Sequence, residues 1–116
     1  MVLILIEIFK DMISYIDNLY LTEKTNKKLD KLKSDISSEK FLSLACIIAL
    51  SENEKDVFDI IPVNNLRFRG KHMGDLYVLG IAESRKAAMR LCSNMIDEYY
   101  QNNCNCCMRD YFKDKI

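Results

Sequence analysis

The residues from Lys40 to Leu50, KFLSLACIIAL, hold hardly a polar side chain, and the polar stretch SENEKD follows at once. A run of this length with adjacent isoleucines reads as a strand, and a strand that is apolar on both sides has to be covered on both faces. A single layer cannot do that. The chain must build a sheet with cover on either side, within the one domain that 116 residues allow.

Composition agrees with a packed domain. Hydrophobic residues make up 49% and charged residues 29%, which excludes disorder over most of the chain. Seventeen basic residues balance seventeen acidic ones. No global field therefore draws the chain to nucleic acid or to an anionic membrane, and any such binding has to come from a local patch. The apolar start, Met1 to Ile6, is interrupted by Glu7, Lys10 and Asp11, far short of the roughly 20 residues that cross a bilayer. It also lacks the basic lead and small-residue cleavage site of a secretory signal. Five cysteines, an odd number without an export signal, read as reduced thiols in a cytoplasmic protein rather than as a disulfide framework.

Periodicity supplies the other elements. Val57 to Val63 alternates, with Asp59 and Ile61 on one side and Phe58 and Ile60 on the other. It closes on Pro62, where a proline suits a strand end or a sheet edge. The short connection makes a hairpin of these two strands. NNLRFRGKHMG, Asn64 to Gly74, breaks any period and reads as an exposed loop, and DLYVLGIA, Asp75 to Ala82, is a third strand. From Val2 to Leu21 the apolar residues Leu5, Ile8, Phe9, Met12, Ile13, Ile16, Leu19 and Tyr20 step by three and four, which predicts a long first helix.

Thr22 to Ser38 predicts a second, thin helix on Leu29, Leu32 and Ile36. Its Lys24, Lys27, Lys28, Lys31 and Lys33 are interleaved with Glu23, Asp30 and Asp35, the mixture of a solvated helix face rather than a binding tract. Ser84 caps a last helix whose stripe is Ala87, Ala88, Leu91, Cys92, Met95, Ile96 and Tyr99, and which ends near Asn102.

The expected architecture is α+β in the order α-α-β-β-β-α, a three-stranded antiparallel sheet packed against the N- and C-terminal helices. Residues 1–103 form the domain, and 104–116 form a cysteine-containing tail in which Tyr111 and Phe112 can dock. The second sheet face then falls to the remaining helix or to a partner subunit, which motivates a homodimer. The segment DLYVLGIAESRKAAMRLCSNMIDEYY, preceded by DVFDIIPVNNL, resembles the C-terminal half of small uncharacterised proteins of Gram-positive bacteria, in which an apolar strand ending in a GIA turn leads into an alanine-containing helix. The resemblance implies a compact α+β fold and carries over no catalytic residue.

Two clusters invite chemistry. Cys104, Cys106 and Cys107 lie close together, with Cys92 upstream and His72 in the loop. The C-x-C-C spacing differs from the C-x2-C pairs of structural zinc sites, and the end of a helix disfavours thiolates. No metal or other cofactor is expected, and a thiol or metal role stands as the third reading.

Arg67, Arg69 and Lys71 around Phe68, beside His72, are the candidate anion-binding residues: arginine forks suit phosphate, and an exposed phenylalanine stacks on bases. Alternation in R-F-R favours the plainer reading, in which the arginines point to water and Phe68 points inward. Nucleic acid is accordingly a minor expectation. No serine or cysteine has an identifiable base and no phosphate-cradling glycine loop exists, so no catalytic residue is assigned. The leading functional expectation is a small interaction or regulatory module without catalysis, with a phosphate or nucleic-acid binder through Arg67 to His72 as its alternative.

Overall fold

A computed structural model describes residues 13–37, 45–51, 55–65, 76–102 and 105–116. The elements run β1 (Ile13–Leu21), α1 (Glu23–Lys27), α2 (Leu29–Ser37), β2 (Cys46–Leu50), β3 (Phe58–Pro62), a 3-10 turn (Val63–Asn65), β4 (Leu76–Ala82), α3 (Arg85–Gln101) and α4 (Met108–Lys113). The four strands form one sheet in the order β1-β4-β2-β3. β2 pairs antiparallel with β3 and with β4, whereas β1 lies parallel to β4. The α+β class and the β2–β3 hairpin agree with the sequence reading. The three-stranded antiparallel sheet and the α-α-β-β-β-α order do not, because Ile13–Leu21 adds a fourth, parallel strand.

The correction lies in the N-terminal segment. Ile13–Leu21 is a strand and not the end of a helix, and residues 2–12 of the expected helix lie outside the described residues. Between Tyr15, which pairs with Val78, and Tyr20, which pairs with Gly80, β1 carries Ile16 to Leu19 where β4 carries Leu79 alone. The bulge turns Asp17 and Asn18 out to solvent. It also resets the side-chain alternation, so that Ile13 and Tyr15 pack on one face of the sheet and Ile16 and Tyr20 on the other. Steps of three and four are what a bulged strand leaves in sequence, and they coincide with a helical period.

Both sheet faces are covered. On one, Ile47, Ala49, Ile61, Val78 and Ile81 form a cluster against which Leu29 and Leu32 of α2 pack. On the other, Ile48, Leu50 and Leu79 meet Ala88, Leu91 and Met95 of α3 and Phe112 of α4. Ile47, Ile48 and Ala49 are fully buried in the single chain, as the unbroken apolar run requires. The lysine-bearing helix thus supplies the second cover, which the sequence left to that helix or to a partner subunit. Among the described residues no helix is long and apolar enough to cross a membrane.

Local signals fix the helices. Thr22 and Thr25 form a reciprocal capping box at the start of α1. Buried Thr25 also donates from its hydroxyl to the Ile81 carbonyl at 2.9 Å, and the Thr22 hydroxyl donates to the Glu83 carboxylate. Chiefly through that hydrogen bond, the Glu83 pKa lies below its ordinary value. These bonds tie the two short helices to the end of β4. The Ser84 hydroxyl accepts from the Ala87 amide at 3.1 Å as the expected cap of α3. Beyond Asn102 the chain forms a further helix, and Phe112 is fully buried.

Candidate functional site

Helices α3 and α4 lie across one sheet face, and each flank of this layer leaves an opening. The first lies along β3, an edge strand that pairs only with β2 among the described residues. The Ser51 amide donates to the Val57 carbonyl at 3.0 Å and the Val63 amide to the Ala45 carbonyl at 2.9 Å. Odd-numbered residues of β3 therefore turn their backbone groups toward β2, and Phe58, Ile60 and Pro62 turn theirs to the outside. Pro62 brings no donor, which matches the edge position expected from sequence.

Beside this edge is a groove of about 370 Å³, lined by Asp56, Val57, Phe58 and Ile60 from the strand side and by Met89, Cys92, Ile96 and Met108 from the helices. Its lip is open, with Met89 58% exposed. Cys92 in its lining is buried, and burial pushes its thiol up to about 11. The Arg109 guanidinium donates to the Asp56 carbonyl at 3.1 Å and holds α4 against the start of β3.

The second opening lies along the bulge of β1. It is a cleft of about 470 Å³ lined by Ile16, Asp17, Asn18, Leu19, Tyr20, Glu98 and Lys115. The hydroxyls of Tyr20 and Tyr111 both donate to Oε2 of Glu98, the latter at 3.0 Å. Asn102 Nδ2 in turn donates to the Tyr111 oxygen at 2.8 Å. Burial first, and then the Glu98 hydrogen bond, hold the Tyr20 phenol well above its ordinary pKa. The Lys115 ammonium sits 4.7 Å from the centroid of the Tyr111 ring.

Of the residues singled out from sequence, Cys92 lines the β3 groove. Arg67, Arg69, Lys71 and His72 lie outside the described residues, as does Cys104. Cys106 is half-buried, Cys107 is exposed at the start of α4, and Cys46 and Cys92 are buried free thiols in the core. Burial also raises the Cys46 thiol, with Arg85 pulling the other way. The four described cysteines are not gathered, and no group of three metal-ligating side chains occurs among the described residues. The signal for the β3 groove was present in sequence, where Phe58 and Ile60 share one side of a proline-ended strand. The signal for the β1 cleft was hidden, because Ile13, Ile16, Leu19 and Tyr20 step by three and four as a helix does. Comparison with known proteins found no matching family model, no matching curated protein and no matching solved structure.

Proposed function

We propose that this domain is a non-catalytic interaction module that takes an extended apolar segment of a protein partner beside β3, with alternate side chains lodged in the groove against α3. The observation that carries this reading is the coincidence of an edge strand with an apolar groove on the same flank. Phe58 and Ile60 present backbone groups outward while their side chains, with Met89, Ile96 and Met108, line the groove. Added-strand recognition needs both parts: main-chain hydrogen bonds give affinity, and pockets for alternate side chains give selectivity. The strand is five residues long and ends in Pro62, so a partner strand gains only a short ladder, and selectivity rests on the groove.

The test is selection of random displayed peptides on the full chain, followed by mapping of an enriched peptide by amide NMR shifts. Enriched sequences should alternate apolar with polar residues and shift the amides of Phe58, Ile60 and Met89. Met89→Glu should weaken binding about tenfold or more while leaving the circular dichroism spectrum unchanged. Peptides that bind this variant equally well, or that map to another surface, would remove the reading.

A further inference from the structure

We propose that the cleft beside the β1 bulge binds a small zwitterion, a molecule with a primary ammonium group at one end and a carboxylate at the other. The hydrogen bonds around Glu98 all point one way. Asn102 donates to Tyr111, Tyr111 donates to Oε2 of Glu98, and Tyr20 donates to the same oxygen. Two phenols thus hold the carboxylate in place by one oxygen, while Oε1 accepts no hydrogen bond among the described residues.

The bulge supplies the facing wall. It takes Asp17 and Asn18 out of the β-ladder, and both line the cleft. Two carboxylates and one ammonium, that of Lys115, make up the charged lining. This arrangement favours a ligand that brings its own cation to Glu98 and Asp17 and its own anion to Lys115. The Lys115 ammonium rests on the ring of Tyr111, one of the two donors to Glu98, which keeps it at the cleft. Half-buried Leu19 adds apolar lining against which a short methylene chain can lie. The volume of about 470 Å³ lies within the range of small-molecule sites.

Three probes separate the parts: γ-aminobutyrate carries both ends, n-butylamine only the ammonium, and butyrate only the carboxylate. In amide NMR titrations γ-aminobutyrate should shift residues 16–20 and Glu98 saturably with a dissociation constant of about 1 mM, n-butylamine should bind about tenfold more weakly, and butyrate should not bind. Glu98→Gln keeps the size and the acceptor but removes the charge, and should abolish binding of both amines. Lys115→Met changes an exposed side chain, so it reports even where Glu98→Gln disturbs packing; it should bring γ-aminobutyrate down to the level of n-butylamine. The proposal is overturned if γ-aminobutyrate fails to saturate by about 100 mM or binds Glu98→Gln as before. Equal affinity for butyrate, equal affinity for n-butylamine, or indifference to Lys115→Met overturns it too.

Discussion

The two flanks of the α3–α4 layer differ in how they finish the sheet. At the β1 flank the strand is long, bulged and stitched to the helices by side-chain hydrogen bonds that converge on Glu98. At the β3 flank the strand is short, its partner residues keep one register throughout, and the helices meet it through apolar contact and the Arg109–Asp56 hydrogen bond. The polar flank fixes the helices at a set distance, which leaves a cleft with directional donors and acceptors. The apolar flank leaves a groove lined by Met89 and Met108, a lining that adapts, since methionine side chains bend to fit what they meet. A sheet with unlike flanks can thus present a site for small polar molecules and a site for protein segments on one domain.

Phe112 stands where the two flanks meet, and it gives the largest expected effect. Its ring lies 4.8 Å from Phe58 at one flank and 6.0 Å from Tyr20 at the other, edge-on in both cases. Phe112→Ala should cost about 3–5 kcal/mol in urea unfolding and loosen both openings together. A loss below about 1 kcal/mol would mean that α4 is a decoration on the layer rather than its keystone.

Next comes a chemical measure of how dry the apolar flank is. Burial pushes the Cys92 thiol in the groove lining up to about 11 from an ordinary 9.0, whereas Cys107 is exposed. At pH 8 a thiol reagent should therefore modify the exposed Cys107 well before Cys92. The same shift has a sign for stability. A thiol whose pKa is raised by folding stabilises the fold fully below its ordinary value of 9.0 and loses that contribution as pH rises through about 11. Stability should fall across that interval, and less so in Cys92→Ala. Comparable modification rates at the two cysteines would show that the groove lining is wet.

The stitched flank is tested by two smaller changes. A methyl group at Gly80 would lie 2.7 Å from the Tyr20 carbonyl oxygen and 3.2 Å from its Cβ, so β1 cannot approach β4 at this point with any larger residue in place. Gly80→Ala should cost about 1–3 kcal/mol and shift the amides of the β1 bulge, with β3 unaffected. Tyr20→Phe removes one of the two phenol donors to Glu98 while keeping the ring against Phe112. It should cost about 1 kcal/mol. Equal shifts at both flanks in either variant would erase the contrast between them.

How much of this was legible in sequence follows the same division. The β3 flank was readable because each of its elements obeys one period: the two-residue alternation of Phe58 to Ile61 closed by Pro62, and the stripe Ala88, Leu91, Cys92, Met95 opened by Ser84. The unbroken run through Ile47 and Ile48 correctly demanded cover on both faces. The β1 flank was misread because a bulge adds residues without adding a period, so that Ile13, Ile16 and Leu19 fall in helical steps although they alternate across a strand. Its cleft was therefore out of reach. Glu98 and Tyr111 become partners of Tyr20 only through the parallel pairing of β1 with β4, a contact between segments some 60 residues apart.

The smallest expected effect on stability is at Met89, and it sharpens the comparison most. Met89 is 58% exposed at the lip of the groove, and glutamate forms helix about as well as methionine does. Met89→Glu should therefore change the unfolding free energy by no more than about 0.5 kcal/mol, because no buried contact is lost and no backbone group is freed. The same substitution places a charge where an apolar side chain of a bound segment would have to lie, and desolvating that charge opposes docking. Stability and binding thus separate at this residue. At the stitched flank they do not, since Tyr20 and Gly80 hold the fold and shape the cleft at once. Circular dichroism melts and peptide titrations on Met89→Glu beside Tyr20→Phe measure this difference directly. If Met89→Glu proves as destabilising as Tyr20→Phe, the groove residue is part of the packed layer and the β3 flank is as closed as the β1 flank.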